Sequence, residues 1–193
     1  MTTHLKLICH ASTSAVRAAA FPADESLDGQ GRQKLAAAAL RVRADRCWTS
    51  PALRACQTAD ALRLDATVEP MLRDCDYGRW TGRTLDEVQA QEPEAVAEWL
   101  RNPRAAPHGG ESVLGLMERV AAWLDAQKGT PGVAVAVTHA SVIRAAVVHA
   151  LEAEARSFWR IDVAPLSLTR LSGANGRWKL VSLAAMTADL REP

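Results

Sequence analysis

Two apolar runs in this chain end on the same three letters. Leu5-Lys6-Leu7-Ile8-Cys9 leads into His10-Ala11-Ser12, and Val133-Ala134-Val135-Ala136-Val137-Thr138 leads into His139-Ala140-Ser141. A short β-branched run closed by polar and small residues reads as a buried parallel strand that delivers a side chain to the edge of a sheet. Ligands of open α/β sheets bind outside the carboxyl ends of the strands. The pattern therefore predicts that two imidazoles meet in one pocket.

Between and after these runs the chain alternates helical and extended patterns. A loop of small residues spans 12–28. A helix is predicted over 31–42, with alanines for packing and Arg32, Lys34 and Arg41 for solvent. Cys47-Trp48-Thr49 reads as a short strand. Ser50-Pro51 then reads as a helix opening, serine as N-cap and proline at the first helical position, with the helix running to about residue 64. Residues 70–82 are irregular and carry Asp74 and Asp76. Helices are predicted over 84–91, 93–100, 111–126 and 141–151. Two strands, 166–171 and 177–183, flank Gly173-Ala174-Asn175-Gly176, a hairpin signal. Strands alternating with helices, closed by a hairpin, predict an α/β fold: a three-layer α/β/α sandwich whose mostly parallel sheet ends in an antiparallel edge strand. With 193 residues and no linker, one domain over 1–193 is expected.

Charge narrows the partners. The 23 basic and 22 acidic residues leave a net charge of +1, which gives no electrostatic reason to expect nucleic acid or an anionic membrane. No apolar run approaches the ~18 residues that span a bilayer, and Lys6 breaks any signal-peptide pattern. A soluble, cytoplasmic chain is expected. Its four cysteines, at 9, 47, 56 and 75, form no CxxC pair and read as reduced. Cys9, His10, Cys75 and His139 form an alternative, soft-metal set. Alternation along a strand argues against it, because it turns Cys9 away from His10.

Five fragments in order give the chain a resemblance. They are His10 with Thr13 three residues on, the stretch Ser50-Pro51-Ala52-Leu53-Arg54-Ala55-Cys56-Gln57-Thr58-Ala59, and the segment Leu72-Arg73-Asp74-Cys75-Asp76-Tyr77-Gly78-Arg79-Trp80-Thr81-Gly82. Gly109-Gly110-Glu111-Ser112 and Val137-Thr138-His139-Ala140 complete the set. Together they resemble the histidine phosphatase superfamily, also called phosphoglycerate mutase-like, over nearly the whole chain. The family's Arg-His-Gly triplet reads Cys9-His10-Ala11 here.

The resemblance implies a catalytic set of His10, Asp74 and His139. His10 is the nucleophile that forms a phosphohistidine, and Asp74 stands where the family usually has a glutamate proton donor. His139 donates to the phosphate, as Arg54 does with a bidentate fork. Thr13 joins this phosphate-binding set, and Arg17 is a candidate to replace the charge lost at position 9. No metal and no organic cofactor are implied.

Losing one preorganised donor costs about 10²–10³ in rate, against an enzymatic gain of about 10⁶ or more. The expected activity is therefore hydrolysis of a small-molecule phosphomonoester. A catalytically weak or inactive phosphate-binding member of the same fold is the first alternative. A phosphoglycerate mutase-type phosphotransferase is the second, and the chain is short for it. Trp80 and Trp99 are candidate pocket walls. Substrate identity is not legible, and a homodimer is left open.

Overall fold

The apolar runs that end at His10 and His139 lie side by side. The computed structural model describes residues 2–38 and 43–185. In chain order its elements are β1 (Thr3–Cys9), α1 (Ser14–Arg17), α2 (Gly29–Ala38), β2 (Arg46–Thr49), α3 (Leu53–Ala61), β3 (Thr67–Val68), α4 (Leu85–Gln91), α5 (Pro93–Arg101), α6 (Val113–Gln127), β4 (Gly132–Thr138), α7 (Ala140–Ala150), β5 (Ser167–Ala174) and β6 (Arg177–Ala185). Single 3₁₀ turns occupy Pro70–Leu72 and Gly78–Trp80, and a longer one Ala155–Arg160. The sheet order is β3-β2-β4-β1-β5-β6. Strands β3, β2, β4 and β1 run parallel, β5 pairs antiparallel with β1, and β6 turns back against β5. Cys9 pairs opposite Thr138 in the β1–β4 ladder, so His10 and His139 leave the same end of adjacent strands.

Alternation along the central strands builds two cores. Leu5, Leu7 and Cys9 of β1, with Ala134 and Ala136 of β4, pack against α6 and α7. Ile8, Val135 and Val137 face the opposite way, onto Leu35 of α2 and Ala55 and Ala59 of α3. A side chain every second residue on each face is what a strand covered on both sides requires. The three layers follow from it. A smaller cluster of Phe21, Trp80, Val88, Val96 and Trp99 closes the loops above the sheet's C-terminal end.

Local signals account for most of the boundaries. Thr84 caps α4 and exchanges hydrogen bonds with Glu87, and Pro93 sits in the first turn of α5. Asn175 and Gly176 both have positive φ, 52° and 74°, as the predicted two-residue hairpin turn requires. The helix expected over 31–42 is α2, beginning at Gly29; residues 39–42 lie outside the described residues.

The opening at Ser50-Pro51 is corrected. Helix α3 starts at Leu53, with Ala52 at the cap and no side-chain cap of its own. The Leu53 N–H instead donates to Asp24 Oδ1, 2.7 Å away on the preceding loop. The helix ends at Ala61 rather than near 64, because Arg63 turns into the left-handed region at φ 56°. Among the described residues no helix is long and apolar enough to cross a membrane.

Candidate active site

His10, one residue past β1, has its ring fixed from both sides. Nδ1 lies 2.8 Å from the Ala11 carbonyl oxygen. A carbonyl only accepts, so the ring proton sits on Nδ1 and Nε2 keeps its lone pair. Nε2 faces Arg54, whose Nε–H donates to it at 3.3 Å. Burial lowers the pKa of His10, which keeps the ring neutral and Nε2 available. The Thr58 hydroxyl accepts from the Ala11 N–H at 3.0 Å and donates to the Arg54 carbonyl at 2.7 Å, tying this corner to α3.

Arg54 is the hub. Its buried guanidinium donates to the Ala23 carbonyl at 2.7 Å and to Asp74 Oδ2 at 2.8 Å. Glu25 Oε1 stands 3.9 Å from it, buried and without a hydrogen-bond partner. Asp74 Oδ1 accepts from the Cys75 N–H at 2.9 Å and from the Ser141 hydroxyl at the start of α7. Burial pushes the Asp74 carboxyl up, but the His139 ring, the Arg54 guanidinium and the Ser141 hydroxyl outweigh it and hold the pKa at about 2. Asp74 is therefore ionised and paired with the Arg54 guanidinium.

His139 completes the group. Its ring centroid lies 5.1 Å from that of His10, and its Nε2 is 2.7 Å from the Ser50 hydroxyl. Burial pulls its pKa down to about 3. It is uncharged at neutral pH, so the 3.3 Å approach of Nδ1 to Asp74 Oδ2 is no ion pair, and it lacks hydrogen-bond alignment as well.

The structure thus brings together His10, Arg54, Asp74 and His139. Thr13 uses its hydroxyl to accept the Val16 N–H as the cap of α1. Arg17 pairs with Asp28 Oδ2 at 3.0 Å, its side chain 54% exposed. Neither lines the cavity of about 170 Å³ beside His10 and Asp74. Trp99 lines that cavity; Trp80 is fully buried behind it. A second, open cleft of about 450 Å³ reaches Arg54 and Asp74 from the side of Pro22 and Pro51. Sequence reasoning missed Ser50, Ser141 and Glu25 as site residues. Nothing in their spacing marks them; only the pairing of strands from distant parts of the chain does.

The match to known proteins is extensive. The model of the histidine phosphatase superfamily, branch 1, matches residues 5–185. The chain belongs to that superfamily. The histidine phosphatase fold is shared with the vanadate complex of a mycobacterial glucosyl-3-phosphoglycerate phosphatase, at a TM-score of 0.82 and 25% identity over 94% of this chain and 98% of that one. Phosphoserine phosphatase 1 of Hydrogenobacter thermophilus is 29% identical over 144 residues, 70% of this chain and 68% of its own. A bifunctional protein of Mycobacterium tuberculosis is 34% identical over 128 residues, 62% of this chain. The matched region spans about a third (35%) of that longer relative.

Within this fold the segment that bears Asp74 is braced from beneath. Arg119 of α6 grips both Glu111 oxygens, at 2.8 and 2.7 Å, and donates to the carbonyls of Met71 and Arg73 at 2.6 and 3.1 Å. The glycine loop meets the same segment backbone to backbone. Glu111 N–H donates to the Asp76 carbonyl at 2.8 Å, and Arg79 N–H to the His108 carbonyl at 3.0 Å. A Cβ on Gly110 would lie 2.1 Å from the Asp76 oxygen, so only glycine permits the approach. Burial raises both neighbouring thiols, Cys9 to about 12 and Cys75 further, leaving neither a thiolate. Among the described residues no three His, Cys, Asp or Glu side chains are grouped to hold a metal ion.

Proposed function

We propose that this histidine phosphatase, as a single cytoplasmic domain, hydrolyses a small-molecule phosphomonoester through a phosphohistidine on His10, with no metal or organic cofactor. The observation that carries the reading is the state of the His10 ring, with Nδ1–H held by the Ala11 carbonyl and Nε2 unprotonated at the Arg54 guanidinium.

In the first step Nε2 attacks phosphorus. The bond to the ester oxygen breaks, and that oxygen leaves with a proton. Arg54 and His139 bear on the equatorial oxygens. Asp74 supplies the proton in spite of the low pKa that its pairing with Arg54 helps to maintain. A phosphate that takes the Arg54 fork removes the carboxylate's cation and brings its own negative charge, and both changes raise the carboxyl pKa. Oδ1 is occupied by Ser141 and the Cys75 N–H, so Oδ2 carries the proton. Water then attacks the phosphohistidine, giving a proton back to Asp74, and releases phosphate.

Cys9 stands where the family's arginine would add a cation. The ionised Asp74 at about 2, with that missing charge, also supports a second reading, a phosphate-binding member with weak or no turnover. Incubation with isotopically labelled phosphomonoesters and an acid quench separates the two. Acid-labile label that disappears in His10→Ala, with steady release of phosphate, upholds the phosphatase. A broad panel without turnover, while phosphate or vanadate still raises the melting temperature, upholds the binder. Label passed to a second substrate rather than to water would mark a phosphotransferase.

A further inference from the structure

The cavity beside His10 holds more than the phosphate machinery. Tyr77, Trp99, Phe158 and Trp159 form aromatic walls, and of the residues lining it Arg144 is the one cation, since His10 is neutral. Arg144 lies one helical step beyond Ser141 on α7, half-buried. Its Nε–H donates to the Ile161 carbonyl at 2.8 Å, and its guanidinium carbon stands 5.9 Å from the centre of the Phe158 ring. The terminal nitrogens make no hydrogen bond to any described residue, and none of the guanidinium reaches His10 or Asp74. Burial raises the pKa of both Cys9 and Tyr77, and the Arg144 charge opposes the rise in each.

We infer that Arg144 is a specificity-determining residue that binds a carboxylate on the leaving group of the phosphomonoester. A guanidinium anchored through Nε beside an aromatic ring has lost part of its freedom before ligand arrives, and its free Nη1–Nη2 edge matches a planar carboxylate. Arg54 already occupies Nε2 of His10, so the transferred phosphoryl group has its fork. Arg144 is set apart from that nitrogen and faces what is left of the substrate. The small volume, about 170 Å³, favours a carboxylate over a second phosphate. The inference rests on the phosphatase reading for its substrate class but not for its test.

O-phosphoserine and phosphoethanolamine differ only in the carboxylate. Wild type is expected to prefer phosphoserine in kcat/KM, and Arg144→Met to cut that preference by about 10- to 100-fold. Arg144→Lys keeps the charge without the fork and is expected to fall between them, which separates the effect from misfolding. Where wild type turns over both compounds, an absent preference, or one unchanged within about twofold in Arg144→Met, overturns the inference. The same pair is read by calorimetric binding to His10→Ala. Carboxylate-dependent binding that needs Arg144, where wild type turns over neither compound nor any of a broad phosphomonoester panel, removes the phosphatase reading and keeps this one. Binding indifferent to the carboxylate removes this one, whatever the turnover.

Discussion

The Ser50 hydroxyl and Nε2 of His139 stand 2.7 Å apart, both buried, across 89 residues of chain. Ser50 Oγ also accepts the Ala52 N–H at 3.2 Å, so its own hydrogen is free for Nε2. The ring proton then sits on Nδ1, on the side of the Asp74 carboxylate. A serine at the end of one strand thus sets the tautomer of a histidine at the end of the next. Ser50→Ala leaves a buried ring nitrogen without a partner. It is expected to cost about 1–3 kcal/mol in urea unfolding and to lower turnover. Unchanged stability would place a water or another group at that nitrogen.

Asp74 and Arg54 are paired at 2.8 Å, so Asp74 competes with any phosphate that takes the same guanidinium. Asp74→Asn is expected to separate binding from chemistry. Turnover falls by about 10²–10⁴ with the proton donor gone, while inorganic phosphate or vanadate binds about tenfold more tightly to the released fork. Calorimetric titration of both proteins checks this. Affinity that stays level or weakens shows that the pair does not guard the site.

Burial of two neutral imidazoles fixes the sign of the pH response. Folding lowers His10 and His139 from 6.5, His139 to about 3, so below pH 6.5 the unfolded chain holds more protons than the folded one. The stability these groups contribute is complete above pH 6.5 and is lost as pH falls toward 3. Asp74, lowered from 3.8 to about 2, acts with the same sign and extends the loss below pH 3.8. The melting temperature is expected to decline steadily from pH 6.5 downward, and less steeply in His139→Asn. A flat profile between pH 6.5 and 4 contradicts this account.

Arg119 is almost fully buried with one carboxylate and the carbonyls of the Asp74 segment. Arg119→Ala leaves Glu111 only the half-exposed Arg73, 3.5 Å away, and frees those carbonyls, with an expected cost of about 3 kcal/mol. Thermal melts measure the loss. A drop of under 1 kcal/mol would mean that the segment holds itself.

The strand pair, the hairpin and the convergence of His10, Arg54, Asp74 and His139 were legible because each rests on a short-range signal. An apolar run, an Asn-Gly turn or a family fragment carries its meaning in adjacent letters. Ser50 was misread for the opposite reason. Serine before proline is a sound helix cap locally, but here its hydroxyl is taken by His139 and the cap is supplied by Asp24. Arg17 has a charge that sequence alone leaves free, and Asp28 holds it at 3.0 Å. Ser141 and Arg144 read only as helix residues, because what they face is decided by segments more than a dozen residues away.

The backbone contact between Gly110 and Asp76 has an evolutionary side. A loop welded to the acid-bearing segment by its own main chain cannot drift on its own. Any insertion between Pro107 and Ser112 would displace Asp74 as well as reshape the rim. A change of shape at this rim is therefore open to side chains, which can be exchanged without moving the main chain.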